Sequence, residues 1–330
     1  ARYAKKNYCT GELEEARSLM MNRPASKYAL IQDVIMDPEN VLTVTELCAM
    51  NGVSRSGYYS WCAQTESREQ REARDRADFE LILQAFRKAR GHAGARQIQM
   101  ILLHQSPSIR FNMKKIRRLM RKFNLECPIR KANPYRRMAK ALRTDNVSEN
   151  LVRREFEEHG PRTILLTDIT YIPYQGKFAY LSTILDACTK QVLAYRVSDN
   201  LKVDFVLETV KQLVENHGDE LETDVIVHSD QGCHYTSVGF RELLRQKKLR
   251  QSMSRRGNCW DNAPQESFFG HMKDEIRDDL KKCRTFQEIC SLLDEQIRYY
   301  NEERYQWDLA KLSPDEFYKY VTTGRYPLSE

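Results

Sequence analysis

The sequence predicts a multidomain chain in which α-helical helix-turn-helix modules precede an α/β domain. Three observations carry this. The chain has 330 residues, more than one domain ordinarily needs. Its apolar periodicity is helical up to about residue 126 and becomes an alternation of strands and helices from residue 155. Its charge is split: residues 1–150 hold 28 Lys+Arg against 16 Asp+Glu, a net of +12, whereas residues 151–330 hold 25 against 30, a net of −5, together the +7 of the whole chain.

The elements follow in order. Residues 1–26 form a helical arm whose helix, at 11–22, ends before Pro24. Residues 27–65 contain a helix at 28–36, then VLTVTELCAMNGVSRSGYYSW, where Thr43 or Thr45 caps a helix through Met50. Asn51-Gly52 turns the chain there, and Ser54 caps a second helix with Arg55 and Tyr58 near its start. An ordinary helical hairpin would show the same pattern. Residues 66–126 form a second helical module: a long charged helix at 67–89, a break at Gly91 and Gly94, a helix in GARQIQMILLHQ and another in FNMKKIRRLMRKFNL. In that last helix Ile116, Leu119, Met120 and Phe123 recur at core spacing, and Lys114, Lys115, Arg117, Arg118, Arg121 and Lys122 take the remaining faces. A helix apolar on one side and basic on the other suits a DNA groove.

Residues 127–154 are a basic linker containing Arg136 and Arg137. Arg110 to Arg143 carries 13 basic residues and one acid, Glu126, which accounts for the whole basic excess of the first half. So one-sided a block points to a polyanion, most simply nucleic acid. Tyr135 within it can stack on a base or pack on the protein.

Residues 155–325 carry the α/β domain. RTILLTDITYIPY, FAYLSTILDA and QVLAYRVSD read as an antiparallel three-strand meander. An amphipathic helix stopped by Gly218 follows, then the apolar strand DVIVHSD, a helix in SVGFRELLRQKK and a fifth strand in LRQSMS. The loop RRGNCWDNAP leads into the helix QESFFGHMKDEIR, and a last helix spans about 285–303.

Three acids in this framework point to chemistry. Asp168 stands alone inside an apolar strand, where an unpaired carboxylate has a large desolvation cost and is relieved by a cation. Asp230 ends the fourth strand, and parallel pairing of that strand with the first brings the two acids to neighbouring positions. Glu266 lies 36 positions further on, in the first turns of a helix that Asn262 can cap and Pro264 can enter. Taken singly, Asp168 could pair with a buried Arg, Asp230 could serve a turn ahead of Gly232, and Glu266 could be a helix-start carboxylate. Taken together, three carboxylates at one edge of a rigid sheet are what two Mg²⁺ ions require to neutralise the attacking and leaving oxygens of a phosphodiester.

At this point the motifs TDITYI, HSDQGCHYTS and SRRGNCWDNAPQESFFGHMKDEI resemble the three acidic boxes of insertion-sequence transposases of the IS-three family, which are similar to retroviral integrases and share the ribonuclease-H-like fold. YYNEERYQWDLAKLSPDEFY resembles the tail signature of that family. VSRSGYYSW resembles the start of its catalytic reading frame, and GARQIQMIL with KKIRRLMRKFNL its second helical module. The resemblance covers about residues 28–325. It implies a ribonuclease-H-like catalytic domain, two Mg²⁺ ions (Mn²⁺ as a substitute) on Asp168, Asp230 and Glu266, and nicking of an element end to expose a 3′-OH that attacks a second phosphodiester. In the family the two ends are joined through a circular intermediate. It further implies double-stranded DNA as partner, both element ends and target, a homodimer or higher oligomer on that DNA, and a bacterial cytoplasmic, nucleoid-associated location. A nuclease of the same fold without strand transfer, and a DNA-binding regulator, are the alternatives.

Other residues near the site take secondary roles. Lys273 shares a helix face with Glu266 and Gly270 and can hold a substrate phosphate or be a solvent lysine. Arg255 and Arg256 precede Gly257 in a loop suited to phosphate contact. Trp260 can stack on a base or anchor that loop. His228 reads as a packed histidine and Asp186 as structural. Nine scattered cysteines without a CxxC pair read as reduced thiols, with Cys283 and Cys290 at core positions. His92, His104, His217 and Cys127 lack zinc-ligand spacing. No apolar run approaches the roughly 18 residues of a membrane span, and no signal peptide is seen.

Overall fold

The structure is a computed structural model that describes residues 23–128, 159–222, 224–253 and 263–328. The expected arm helix, most of the basic linker and the loop before Glu266 lie outside the described residues. The chain divides into two compact units, one ending at Glu80 and one beginning at Leu81.

The first unit is built on helices α1 (Pro24–Met36), α2 (Val44–Met50) and α3 (Arg55–Ala63). Thr43 starts α2 with a reciprocal cap: its hydroxyl accepts from Glu46 N, and the Glu46 carboxylate accepts from Thr43 N. Gly52 turns the chain at φ +61°, where a side chain would be strained, and the Ser54 hydroxyl caps α3 by accepting from Gly57 N. Ile31, Leu47, Cys48 and Tyr58 form the core. Tyr58, expected near the start of the helix, is therefore a core residue, and its hydroxyl donates to Gln32 Oε1 at 2.6 Å. Helix α4 (Thr65–Lys88) continues through the boundary into the second unit.

In the second unit, α5 (Ala95–Leu103) and α6 (Met113–Lys122) complete the second helical module. Ile98, Ile101, Leu102, Ile116, Leu119 and Met120 are buried there, as the periodicity requires. The sheet holds β1 (Ile164–Tyr174), β2 (Lys177–Asp186), β3 (Val192–Ser198), β4 (Ile226–Ser229) and β5 (Arg250–Met253) in the order β3-β2-β1-β4-β5. The first three strands are the antiparallel meander, and β4 and β5 are parallel to β1 and to each other.

Helix α7 (Asp204–His217) lies on one face of the sheet, followed by the short α8 (Cys233–Thr236) and α9 (Val238–Gln246), around Leu165, Ile184, Phe205, Val227 and Phe240. On the other face α10 (Ala263–Leu280) and α11 (Phe286–Glu302) pack Phe268, Met272 and Leu293 against Leu166, Leu181 and Leu185. Helix α7 ends at His217 with Gly218 at its C-cap, as expected; Gly218 stays right-handed at φ −53° and opens a 3-10 turn through Glu220.

The tail signature is structural. Asn301 satisfies both backbone groups of Val192 on edge strand β3, accepting from its N–H at 2.9 Å and donating to its carbonyl at 2.8 Å. Helix α12 (Pro314–Thr323), which periodicity alone did not identify, is started by Ser313, Pro314 and Glu316 in a capping box. Its first turns reach in two directions. Glu316 Oε2 lies 3.1 Å from His104 Nε2, while the His104 ring stacks on Tyr305 at 3.6 Å and its Nδ1 donates to Met100 O. Asp315 accepts from Gln191 at 2.7 Å and Tyr318 lies under the Arg162 guanidinium. Arg90 adds an ion pair to Glu295 at 2.7 Å. The helices α5 and α6 and the sheet are thus joined through α11 and α12. Among the described residues no helix is long and apolar enough to cross a membrane.

Candidate active site

Asp168 lies in β1 with its side chain on the α10 side of the sheet, the same parity as Leu166 and Ile172. Strand β4 pairs with β1 in parallel as far as Leu166 beside His228; Asp168 and Asp230 each lie two residues beyond that pair, Asp230 just past the end of β4. Glu266 stands in the first turn of α10. The parallel crossover expected from the sequence is what aligns the first two acids, and the helix that returns over the sheet delivers the third.

The electrostatics show that the three acids act on one another. The Asp168 carboxyl is pushed up to about 6, first by burial and then by the negative charges of Asp230 and Glu266; the Ile169 N–H, donating at 2.8 Å, and the Lys273 ammonium act the other way. Lys273 is half-buried, and that burial lowers its pKa against the opposing pull of Asp168. The face shared by Glu266 and Lys273 therefore looks onto Asp168.

Asp230 is held by its own loop. Its Oδ1 accepts from Gly232 N at 2.8 Å, and a Cβ on Gly232 would stand 2.9 Å from that oxygen, so a side chain there would push the Asp230 carboxylate aside. Among the described residues no three His, Cys, Asp or Glu side chains close into a preformed metal cage. The donor set nonetheless suits a hard cation: carboxylate oxygens, two of them exposed to solvent, with no thiol or imidazole among them. Mg²⁺ keeps several of its waters, so an open arrangement fits it better than a tight cage would.

The structure adds residues that sequence reasoning did not single out. Tyr235 is buried and its phenol is raised well above the ordinary value, by burial first and then by Asp168 and Asp230. Its place in HSDQGCHYTS, five after Asp230, was the available signal. Gln265 is fully buried and donates to Thr183 Oγ1. Arg162 is 2% exposed and binds Asp186, itself 0% exposed, at 3.1 Å. The buried arginine that Asp168 could have had belongs to Asp186, which is structural as expected. His228 is buried with Nδ1 3.0 Å from Ser252 Oγ. Cys283 is buried; Cys290 is half-buried rather than fully in the core.

The basic side chains on α6 divide unevenly. Lys114, Arg117, Arg118, Arg121 and Lys122 are exposed, whereas Lys115 is half-buried with its ammonium 3.9 Å from the Phe111 ring centre. Arg55 is exposed at the start of α3 and donates to Thr45 Oγ1 at 3.1 Å. Arg136, Arg137, Arg255, Arg256, Asn262 and Trp260 lie outside the described residues.

Comparison with known proteins agrees with this layout. The integrase core domain family matches residues 158–259 and, in a second form, 247–314; the HTH-like domain family matches 72–133. An uncharacterized transposase-like protein of Haemophilus influenzae is 34% identical over 63% of this chain and 93% of its own length. Transposase InsF for insertion sequence IS3A of Escherichia coli is 28% identical over 83% of this chain and 93% of its own. Among solved structures, the HTLV-2 integrase catalytic core domain in complex with magnesium is similar over 48% of this chain and 97% of that one, at 14% identity and a TM-score of 0.38. With an HTH-like domain ahead of an integrase core, and relatives matched along nearly their whole length, the chain belongs to the insertion-sequence transposases of the IS-three family.

Proposed function

We propose that this transposase binds the ends of a mobile element, cleaves one strand to expose a 3′-OH, and transfers that end to another phosphodiester, with Asp168, Asp230 and Glu266 as the metal-binding acids. The observation that supports this is Asp168 itself, a carboxyl in a sheet strand whose pKa is raised to about 6 first by burial and then by the negative charges of Asp230 and Glu266. Divalent cations relieve repulsion among such like charges. Bound Mg²⁺ or Mn²⁺ would supply Lewis-acid stabilisation of the attacking and leaving oxygens.

The remaining work falls to the chain. Asp168 supplies one donor position from β1 and Asp230 a second from the loop that leaves β4. Glu266 brings the third from a helix packed on that sheet. Lys273, half-buried and facing Asp168, is suited to hold a non-bridging phosphate oxygen. In the first step a water oxygen bonds to phosphorus and the bond to the 3′ oxygen breaks, that oxygen leaving as a hydroxyl. In the second, the new 3′ oxygen bonds to another phosphorus, loses its proton, and displaces a 3′ oxygen there. Exposed cations on α6, with Arg55 on α3, would contact duplex phosphates. Two ends must be held at once, so a dimer or larger assembly on DNA is part of the proposal.

Incubating the protein with labelled element ends, target duplex and Mg²⁺ tests the reading. Joined products are expected. Cleavage without joining would make the protein a nuclease, and binding without either would make it a regulator.

A further inference from the structure

What holds Glu266 at its distance from Asp168? The later turns of α10 are anchored by apolar contacts from Phe268, Phe269, Met272 and Ile276. These fix how the helix lies on the sheet and leave its first turn, where Glu266 sits, dependent on other ties. The side chain immediately before Glu266 supplies one. Gln265 is fully buried, and its Nε2 donates to Thr183 Oγ1, itself fully buried. Thr183 is the residue directly across from Asp168 in the β1–β2 ladder. Residues directly opposite in a ladder share a face, with Cβ atoms roughly 4.5–5.5 Å apart. The bond therefore ties the residue beside Glu266 to the residue beside Asp168.

Stability alone does not call for an amide here. Gln265 Oε1 is buried and has no hydrogen-bond partner among the described residues. An unmet acceptor in the interior is costly, and a leucine of similar size would avoid it. Adjacent residues on a helix point about 100° apart. Gln265 facing inward consequently fixes where the exposed Glu266 points.

We infer that Gln265 and Thr183 are positioning residues that set the Glu266 carboxylate against Asp168 and so tune the site's affinity for divalent metal. The inference rests on the metal-site reading above. Both side chains are fully buried, so each would act through the carboxylate next to it, as outer hydrogen-bond partners of metal ligands do.

The test is Mn²⁺ binding to the full-length chain by titration calorimetry, paired with thermal unfolding. Gln265→Leu and Thr183→Val should each weaken Mn²⁺ binding about tenfold or more. The unfolding midpoint should change little for Gln265→Leu, which removes the unmet Gln265 Oε1 but leaves the buried Thr183 hydroxyl without its amide. Because both substitutions remove the same bond, the double variant should lose no more than the worse single one. Thr183→Ser, which keeps the hydroxyl, should bind within about twofold of wild type. If Gln265→Leu does not fold, the near-isosteric Thr183→Val decides alone. Wild-type affinity in the folded variants, or losses that multiply in the double variant, would overturn the inference while leaving the metal site intact. A wild-type chain that takes up no Mn²⁺ would instead refute the metal-site reading, and the inference with it.

Discussion

Replacing Arg162 with Met should destabilise the second unit by about 3–5 kcal/mol, the range for stripping one partner from a buried ion pair. Burial sets the scale. Arg162 is 2% and Asp186 0% exposed, so the carboxylate left behind has no route to water. It would keep the N–H groups of Arg162 at 3.0 Å and Cys188 at 2.9 Å, which solvate it in part and hold the loss away from the Born limit. Arg162 Nη2 also donates to Gln191 at 2.7 Å, and its guanidinium lies 4.1 Å from the Tyr318 ring centre, so the same change loosens α12. Backbone strain does not enter, because Arg162 already sits at φ +63° and Met bears the same cost there. At about 2–4 °C per kcal/mol for a unit of this size, the unfolding midpoint should fall by roughly 6–20 °C in scanning calorimetry. Adding Asp186→Asn should restore a large share, because the uncompensated charge is then gone. A single variant within about 0.5 kcal/mol of wild type, or a double variant no better than the single, would refute the buried-pair reasoning.

Asp168→Asn should abolish cleavage and joining while gel-shift affinity for element ends stays within about twofold; retained turnover would remove Asp168 from the site. Gly232→Ala puts a methyl 2.9 Å from Asp230 Oδ1, and displacing that carboxylate should cost about a hundredfold in cleavage rate with little change in the unfolding midpoint. Binding to duplex DNA should weaken linearly in log–log salt plots, and Arg117→Ala with Arg121→Ala should reduce the slope by roughly 0.9 for each phosphate no longer neutralised; an unchanged slope would take α6 off the DNA. Glu316 is raised by burial but lowered further by its hydrogen bonds to His104 and Ser313, for a net pKa below 4.5. Its contribution to stability is therefore full above that value and lost as pH falls through the depressed one. Glu316→Gln should flatten this acid limb in pH-dependent unfolding, and an identical limb would show the pair to be inert.

The parts of this molecule that periodicity encodes were readable in the sequence. Ile116, Leu119 and Met120 announced the buried side of α6, and the meander of β1 to β3 announced itself through β-branched and aromatic runs. Asp168 was conspicuous because a lone charge in an apolar strand is costly. What escaped was whatever depends on residues distant in the chain. Nothing near Arg162 says that it will be engulfed, since an arginine ahead of a strand ordinarily stays in solvent. His104 and Glu316 are 212 positions apart, and no local pattern pairs them. Helix α12 is a different case: Ser313, Pro314 and Glu316 are a legible start signal, masked by the family signature in which they stand. Gln265 was hidden by its neighbour, since an amide beside a conspicuous carboxylate at a helix start reads as filler.

The joint formed by Arg90, His104, Tyr305 and Glu316 also bears on how such chains can be rearranged. A foreign segment grafted into positions 81–128 would arrive without the side chains that complement Glu295, Tyr305 and Glu316. A working hybrid would have to exchange both borders together, carrying 295–318 along with the graft. A crossover placed before Leu81 keeps every one of those pairings within a single parent. Exchanging residues 81–128 alone would break these pairings, since their partners lie at 295–318.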